Sequence, residues 1–123
     1  MTDDAALDEV WDLVGSWVTV PDAAESLGIE VTRVRQLVRD GLVIAARAEV
    51  GGPLSIPADF IGEGQVLKSL PGVLNLLRDA RFNDVEALRW LYTADDSLPG
   101  TPVQALVENR GTEVKRRAQA LGF

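Results

Sequence analysis

The segment from Thr19 to Gly41 carries two short helical patterns separated by a glycine, and this arrangement restricts the fold more than any other stretch. Thr19 has the side chain of an N-cap, and Gly28 provides a stop for the first helix. Three residues later a second pattern begins, with apolar side chains on one face, and it ends at Gly41. The sequence therefore predicts two short helices joined by a tight turn, with the second helix over residues 31–40.

Two β-forming stretches follow the second helix. Residues 42–50 and 54–56 are separated by the turn Gly51-Gly52-Pro53, and Pro57 closes the second stretch. This layout is typical of a two-stranded hairpin. Helix, turn, helix and hairpin together predict a winged helix-turn-helix in residues 1–60, preceded by a short amphipathic helix and a brief strand near Trp17.

The remainder of the chain is predicted to be helical. Caps and apolar spacing indicate four further helices, which run from Pro71 to Ala80, from Asn83 through Leu91, from Thr101 to Val107 and from Thr112 to Gly122. No long Gly/Ser or Pro linker divides the chain, so the two parts should pack together. We expect a mainly α protein with a small β wing, in which residues 61–123 form a helical bundle packed on the winged helix-turn-helix.

Hydrogen-bond donors occupy the polar face of the second helix. In a helix-turn-helix the N-terminal part of this helix enters the major groove, where arginine pairs with guanine and glutamine with adenine. Double-stranded DNA is therefore the predicted partner, read by Thr32, Arg33, Arg35 and Gln36, with Arg39 better placed for backbone charge. The alternative is a simple amphipathic helix whose arginines are solvated.

The wing and the last helix add further candidates. Arg47 is placed to reach a phosphate or the neighbouring minor groove, and Gly51 and Gly52 would allow close approach to the backbone. The densest basic run, Lys115-Arg116-Arg117, has two interpretations. It either extends the DNA backbone footprint or is a solvated face that complements the helix C-terminus.

The net charge of −7 opposes DNA binding, but it is unevenly distributed. Residues 1–30 carry eight acids and no Lys or Arg, whereas residues 31–58 carry four arginines against two acids. Salt screens charges over about 8 Å at physiological ionic strength. A locally basic face can therefore coexist with the acidic remainder of the chain. The net negative charge makes tight nonspecific DNA binding less expected without excluding it.

Several functional classes are disfavoured. The chain has no cysteine and no histidine, so thiolate nucleophiles, disulfides, imidazole bases and the usual zinc sites are excluded. No basic or metal-binding residues accompany the acid pairs Asp3-Asp4 and Asp95-Asp96 in the sequence. Gly51-Gly52 is not a phosphate-binding loop, because the lysine and the following helix of such loops are absent. We expect no enzyme activity, no cofactor and no metal. The acidic N-terminus and the absence of a long apolar run indicate a soluble protein in the cytoplasm, associated with the nucleoid.

The N-terminal half resembles the DNA-binding module of excisionase and MerR-type regulators. The matching residues are 19–24, 27–29, 34–42 and the closing Ile56-Pro57. One departure concerns Glu30, which stands where those proteins usually have a serine cap. It places a negative charge at the end of the helix that would approach phosphates.

Over its whole length the chain is similar to a small family of actinobacterial winged-helix DNA-binding proteins. The stretches that carry this similarity are residues 66–72, 88–93 and 114–120. The resemblance implies DNA binding under the control of a Ser/Thr protein kinase, because one mycobacterial member is described as a kinase substrate. Met1 lies close to the folded part, so we expect no long phosphorylatable tail, and Thr2 beside two aspartates is the candidate.

The C-terminal half also resembles the toxin-binding domain of antitoxins that pair with RES-type toxins. Trp90-Leu91, residues 98–102, Ala105-Leu106 and residues 111–114 carry this likeness. It implies an alternative function, in which the C-terminal bundle binds a protein partner. The simpler interpretation is that these apolar residues form the core and the Gly and Pro residues end helices.

Overall fold

The computed structural model describes residues 2–122, with side chains from Leu7 to Gly122. Its helices and strands alternate in the first half, and helices dominate the second. In chain order the elements of the first half are α1 (Thr2–Val14), β1 (Trp17–Thr19), α2 (Val20–Leu27), α3 (Val31–Arg39), β2 (Ser55–Pro57) and a 3-10 turn (Ala58–Phe60). Those that follow are β3 (Ile61–Gly62), β4 (Gln65–Val66), α4 (Leu70–Asp79), α5 (Asp84–Leu91), α6 (Pro102–Val107) and α7 (Gly111–Ala120).

The helix-turn-helix forms as the sequence predicts. Thr19 caps α2, because its Oγ1 accepts a hydrogen bond from the Asp22 amide at 3.4 Å. Gly28 ends the helix with φ of 67°, a left-handed conformation that suits glycine. Helix α3 starts three residues later and packs on α2, with Val34 completely buried. The mainly α fold with a winged helix-turn-helix is therefore confirmed.

The pairing of the wing differs from the predicted hairpin. Strand β2 pairs antiparallel with β1 before the helix-turn-helix, and residues 42–50 contribute only an isolated bridge between Ala46 and Ser55. That bridge uses both hydrogen bonds, at 2.9 Å and 2.8 Å. Two factors contribute: Ala45, Ala46 and Ala48 have low β propensity, and the tertiary fold brings the β1 edge beside β2.

A second hairpin follows Phe60, within residues 61–123, which the sequence predicted to be a helical bundle. Strands β3 and β4 pair through a two-residue turn, Glu63-Gly64, in which both residues have positive φ, 53° and 77°. This is the geometry of a type I′ turn. Glutamate rarely adopts it, so the usual Asn-Gly or Asp-Gly signal is absent from the sequence.

The four C-terminal helices lie where the sequence predicts them. Asn83 and Glu86 form a reciprocal capping box at the start of α5, with bonds of 2.8 Å and 2.9 Å. Thr101 caps α6 by accepting from the Gln104 amide at 3.2 Å. Helix α7 packs against α4 and α6, while α5 packs against α1. The C-terminal helices are therefore joined to the first half through α1.

One apolar core spans both halves of the described chain. Val10, Val34 and Ile56 from the first half and Leu74 and Leu91 from the second are all essentially inaccessible to solvent and belong to the same cluster. A polar contact accompanies it, since the Tyr92 hydroxyl donates to Asp59 Oδ2 at 3.0 Å. The winged module and the C-terminal helices are thus held together by apolar burial and by at least one hydrogen bond between them.

Tyr92→Phe tests this hydrogen bond. Burial, together with the charge of Asp59 and the hydrogen bond to it, raises the pKa of the Tyr92 phenol above its ordinary value of 10.0. The folded chain therefore holds this proton more tightly than the unfolded chain, so its contribution to stability is complete below pH 10 and is lost as the pH rises further. We expect Tyr92→Phe to lower the free energy of unfolding at neutral pH by about 1 kcal/mol, measured by urea denaturation followed by tryptophan fluorescence.

Comparison of the variant with the unaltered chain also separates Tyr92 from other groups that titrate at alkaline pH, because both proteins contain those groups. Tyr92 is the single tyrosine of the chain, so phenolate absorbance reports its ionisation directly. The stability of Tyr92→Phe should fall less between neutral and alkaline pH than that of the unaltered chain. An identical alkaline fall in both proteins would show that the buried phenol contributes nothing.

Candidate nucleic-acid interface

The outer face of α3 is set by the residues that its inner face buries. Val34 is 0% exposed, and Leu37 and Val38 are packed against the same core. Because an α-helix turns once every 3.6 residues, the positions between these apolar residues must face away from the protein. The side chains that the structure places on this exposed face are those predicted from the sequence: Thr32, Arg33, Arg35 and Arg39, with Gln36 half-buried.

Two of these side chains are occupied within the helix itself. The Gln36 amide nitrogen donates to Asp40 Oδ1 at 2.8 Å, and its oxygen accepts from Arg39 Nη2, also at 2.8 Å. Both ends of the amide are therefore engaged. One N–H and one lone pair of the amide remain for a base, but these two bonds restrict how the side chain can turn towards it, which the sequence did not reveal.

Arg33 and Arg35 are different. Among the described residues, neither guanidinium takes part in a side-chain hydrogen bond or ion pair. Both are exposed in the first part of α3, the part that enters the groove in helix-turn-helix proteins. These two arginines offer all their donors to an external acceptor, and a guanidinium has the geometry for bidentate pairing.

The start of α3 has no side-chain cap. Glu30 occupies the N-cap position with extended backbone, and its carboxylate makes no capping hydrogen bond. Its backbone carbonyl accepts from the Arg33 and Val34 amides at 2.9 Å and 3.2 Å. The exposed Glu30 carboxylate is thus a negative charge beside the outer face, as its sequence position indicates, and it provides no cap in exchange.

The wing loop is braced by its own arginine. Arg47 Nε donates to the Gly52 carbonyl at 3.0 Å, which leaves the two terminal nitrogens for another acceptor. Gly51 has φ of 82°, so glycine is needed there for conformation. Val50 is fully exposed at the tip. The wing therefore presents one tethered cation and an apolar tip, together with the exposed acid Glu49.

A contact between α4 and the end of α3 was not predicted. Arg78 Nη1 donates to the Gly41 carbonyl at 2.6 Å, and Arg78 Nη2 lies 3.9 Å from Asp84 Oδ1. Gly41 has φ of 75°, and a Cβ there would meet the Arg78 guanidinium at 2.6 Å. The sequence signalled only that Gly41 ends the helix. The structure adds that the C-terminal half holds this end of α3.

The three basic residues of α7 differ in their contacts. Arg117 Nη2 donates to the Ser97 carbonyl at 3.2 Å, and Nε reaches the Ser97 hydroxyl. Ser97 in turn bonds to Asp95, and these hydrogen bonds, with the Arg117 charge, lower the pKa of the Asp95 carboxyl. Arg117 therefore belongs to this loop. Lys115 and Arg116 are exposed, although the Lys115 Cε lies over Gly72.

Most residues behind the antitoxin likeness are core residues. Leu91, Leu98, Ala105 and Leu106 are buried, and Trp90 is packed partly against the same core. Gly100 has φ of 87°, which accounts for a glycine at that position. These residues are therefore explained by packing and backbone conformation.

The side chain of Thr2, the candidate for phosphorylation, lies outside the described residues.

Within residues 2–122, no helix combines the length and the apolar character that crossing a membrane requires.

Comparisons with known proteins match both halves of the chain. Residues 2–61 match the family described as DNA-binding protein Rv2175c, wHTH domain, and residues 67–122 match the Rv2175c C-terminal domain of unknown function. The chain is 39% identical over 128 residues to the DNA-binding protein Rv2175c of Mycobacterium tuberculosis (strain ATCC 25618 / H37Rv), with 94% of this chain and 87% of that protein covered.

The three-dimensional comparison agrees. The structure is similar to the NMR structure of Rv2175c with a TM-score of 0.77, covering 88% of this chain and 82% of that chain at 39% sequence identity. Both domains and their order along the chain are therefore shared. The chain belongs to the Rv2175c family, which joins a winged helix-turn-helix domain to a C-terminal helical domain.

Proposed function

We propose that this protein binds double-stranded DNA through the outer face of α3 and acts as a transcriptional or nucleoid-associated regulator. The observation that carries the proposal is the pair Arg33 and Arg35, which are exposed on the two sides of α3 that flank Thr32 and Gln36 and are free of side-chain partners among the described residues. The winged helix-turn-helix family and a relative named as a DNA-binding protein support it.

Each residue of the interface has a distinct role in this proposal. Arg33 and Arg35 enter the major groove, where a guanidinium pairs with guanine O6 and N7, and Thr32 bonds to a phosphate or a base edge. Arg39 contacts the backbone further along the groove. Gln36 reads a base with the N–H and the lone pair that its bonds to Asp40 and Arg39 leave open.

The wing contributes a backbone contact. The Nε–Gly52 bond orients the Arg47 guanidinium and leaves its terminal nitrogens to approach a phosphate. Gly51 at the tip keeps side-chain bulk away from the sugar-phosphate backbone. Arg47 is thus a positioned point of attachment beside α3, while exposed Glu49 limits how closely the rest of the wing approaches.

The net negative charge of the protein and the basic face of α3 influence DNA over different distances. Repulsion between DNA and the acids of residues 1–30 decays over about 8 Å at physiological salt, whereas contacts at α3 are direct. Counterion release then governs affinity, which falls with log salt by a slope of about 0.9 per neutralised phosphate. We therefore infer moderate nonspecific affinity with strong salt dependence, to which base contacts add specificity.

Arg33→Ala combined with Arg35→Ala tests the interface. We expect this variant to bind a random-sequence duplex about tenfold or more weakly at low salt, measured by fluorescence anisotropy of the labelled duplex. The slope of log affinity against log salt should also become shallower by about 0.9 for each phosphate that the variant no longer neutralises. Circular dichroism should be unchanged, because both side chains are exposed.

A charge-matched control is available on α7. Lys115→Ala combined with Arg116→Ala removes the same two charges from another exposed surface. A loss of affinity confined to the α3 variant places the DNA on α3, and an equal loss in both variants extends the footprint to α7. Unchanged affinity in the Arg33/Arg35 variant would refute the assignment of α3.

Glu30 provides an opposite test. Glu30→Gln removes the negative charge without adding a cap, so we expect several-fold tighter DNA binding at low salt and little change in stability. Glu30→Ser should tighten binding similarly and also stabilise the fold by about 1 kcal/mol, because serine caps the free amides of α3. Anisotropy gives the affinity, and urea denaturation gives the free energy of unfolding.

The two substitutions separate charge from capping. If affinity rises with Ser but not with Gln, the order of the helix start, rather than the charge, limits binding. If neither variant binds more tightly, the N-terminus of α3 does not face the phosphates, and the docking orientation proposed for this helix is wrong.

A further inference from the structure

A cavity of about 880 Å³ separates the wing from the C-terminal helices. Residues 47–52 of the wing line it together with Leu7 and Asp8 of α1 and with Asp84, Val85 and Leu88 of α5. Its size falls in the range of roughly 300–1,000 Å³ that is usual for small-molecule sites. The cavity lies apart from the outer face of α3, since no residue of α3 lines it.

Part of the lining is apolar. Leu7, Leu54 and Val85 are half-buried and provide its accessible apolar surface, whereas Ile44 and Leu88 are 1% exposed and belong to the core. An occupant would therefore bury apolar surface of its own against Leu7, Leu54 and Val85. Burial of this kind provides about 25 cal/mol for each Å² removed from water.

The charged part of the lining is predominantly negative. Three carboxylates, those of Asp8, Glu49 and Asp84, face a single cation, Arg47, whose Nε is already bonded to the Gly52 carbonyl. Asp84 has Arg78 at 3.9 Å, but its side chain is 63% exposed, and Asp8 has no ion pair among the described residues. The cavity thus combines an apolar wall with an excess of carboxylates, of which Asp84 alone has a long, exposed ion pair among the described residues.

From this combination we infer that the cavity is a binding site for a small organic cation with an apolar body. The apolar part of the ligand packs against Leu7, Leu54 and Val85, and its charged group is attracted by the carboxylates of Asp8 and Asp84. The same charges repel nucleotides and other small anions. The cavity shares Arg47, Gly51 and Gly52 with the wing contact proposed for DNA, but no residue of α3 lines it. Cation binding at this site does not depend on DNA binding at α3.

A pair of ligands with the same body and opposite charge provides the test. We would titrate the full ¹⁵N-labelled chain with 1-adamantylammonium and, separately, with adamantane-1-carboxylate. We expect the cation to shift the amide signals of residues 47–52 and 84–88 in a saturable manner. Its dissociation constant should be about tenfold or more below that of the anion.

Charge-removing variants locate the site. Asp8→Asn combined with Asp84→Asn should weaken binding of the cation by about tenfold and leave the anion unaffected or slightly strengthened. Asp12→Asn is the matched control, because Asp12 is an exposed acid one turn further along α1 and does not line the cavity. It should bind the cation as the unaltered chain does.

Two results would overturn the inference. One is equal affinity for the two adamantyl ions, which would describe a nonselective apolar groove. The other is the absence of saturable shifts at the lining residues. Both are read on the unaltered chain, so they remain decisive if the double variant folds poorly, and neither depends on whether α3 binds DNA.

Discussion

The burial of Val34 is the constraint on which the rest of the interface depends. Its side chain is completely removed from solvent, and Leu37 and Val38 pack beside it. With the inner face fixed in this way, helical geometry places Arg33 and Arg35 on the two exposed flanks of α3, on either side of Thr32 and Gln36. The arginines are therefore positioned by apolar packing that contains no charge.

The C-terminal helices extend this constraint. Arg78 of α4 donates a hydrogen bond to the Gly41 carbonyl just after α3. Tyr92, directly after α5, donates one to Asp59 in the 3-10 turn. Helix α5 also packs on α1, and one continuous core includes both halves. Through these contacts the C-terminal helices pack directly on the helix-turn-helix domain.

Local signals made much of this structure predictable. Thr19, Gly28, Asn83 and Thr101 act within a few residues of themselves, so their capping roles follow from sequence, and the exposed face of α3 follows from its apolar period. Contacts between distant residues were not predictable in the same way. The choice of β1 as partner for β2 depends on which strand edge comes close, a tertiary property.

The side-chain hydrogen bonds near α3 could not be predicted from the sequence for the same reason. That Gln36 is engaged at both ends of its amide depends on rotamers of Arg39 and Asp40, and the Arg78–Gly41 bond joins residues 37 positions apart. The Glu63-Gly64 turn was missed because glutamate seldom adopts positive φ. The sequence indicated which side chains of α3 are exposed, but not which of them already form hydrogen bonds within the protein.

The most direct test of the DNA-binding surface is protection of a single thiol. Because the chain contains no cysteine, Thr32→Cys and Gln119→Cys each introduce one exposed reactive site, the first on α3 and the second on α7. The rate of alkylation by iodoacetamide, a neutral reagent, would be measured with and without duplex DNA at low salt. DNA should slow alkylation of the Thr32→Cys variant several-fold and leave the Gln119→Cys variant unchanged. Protection of the α7 thiol alone, or of neither, would contradict binding through the outer face of α3.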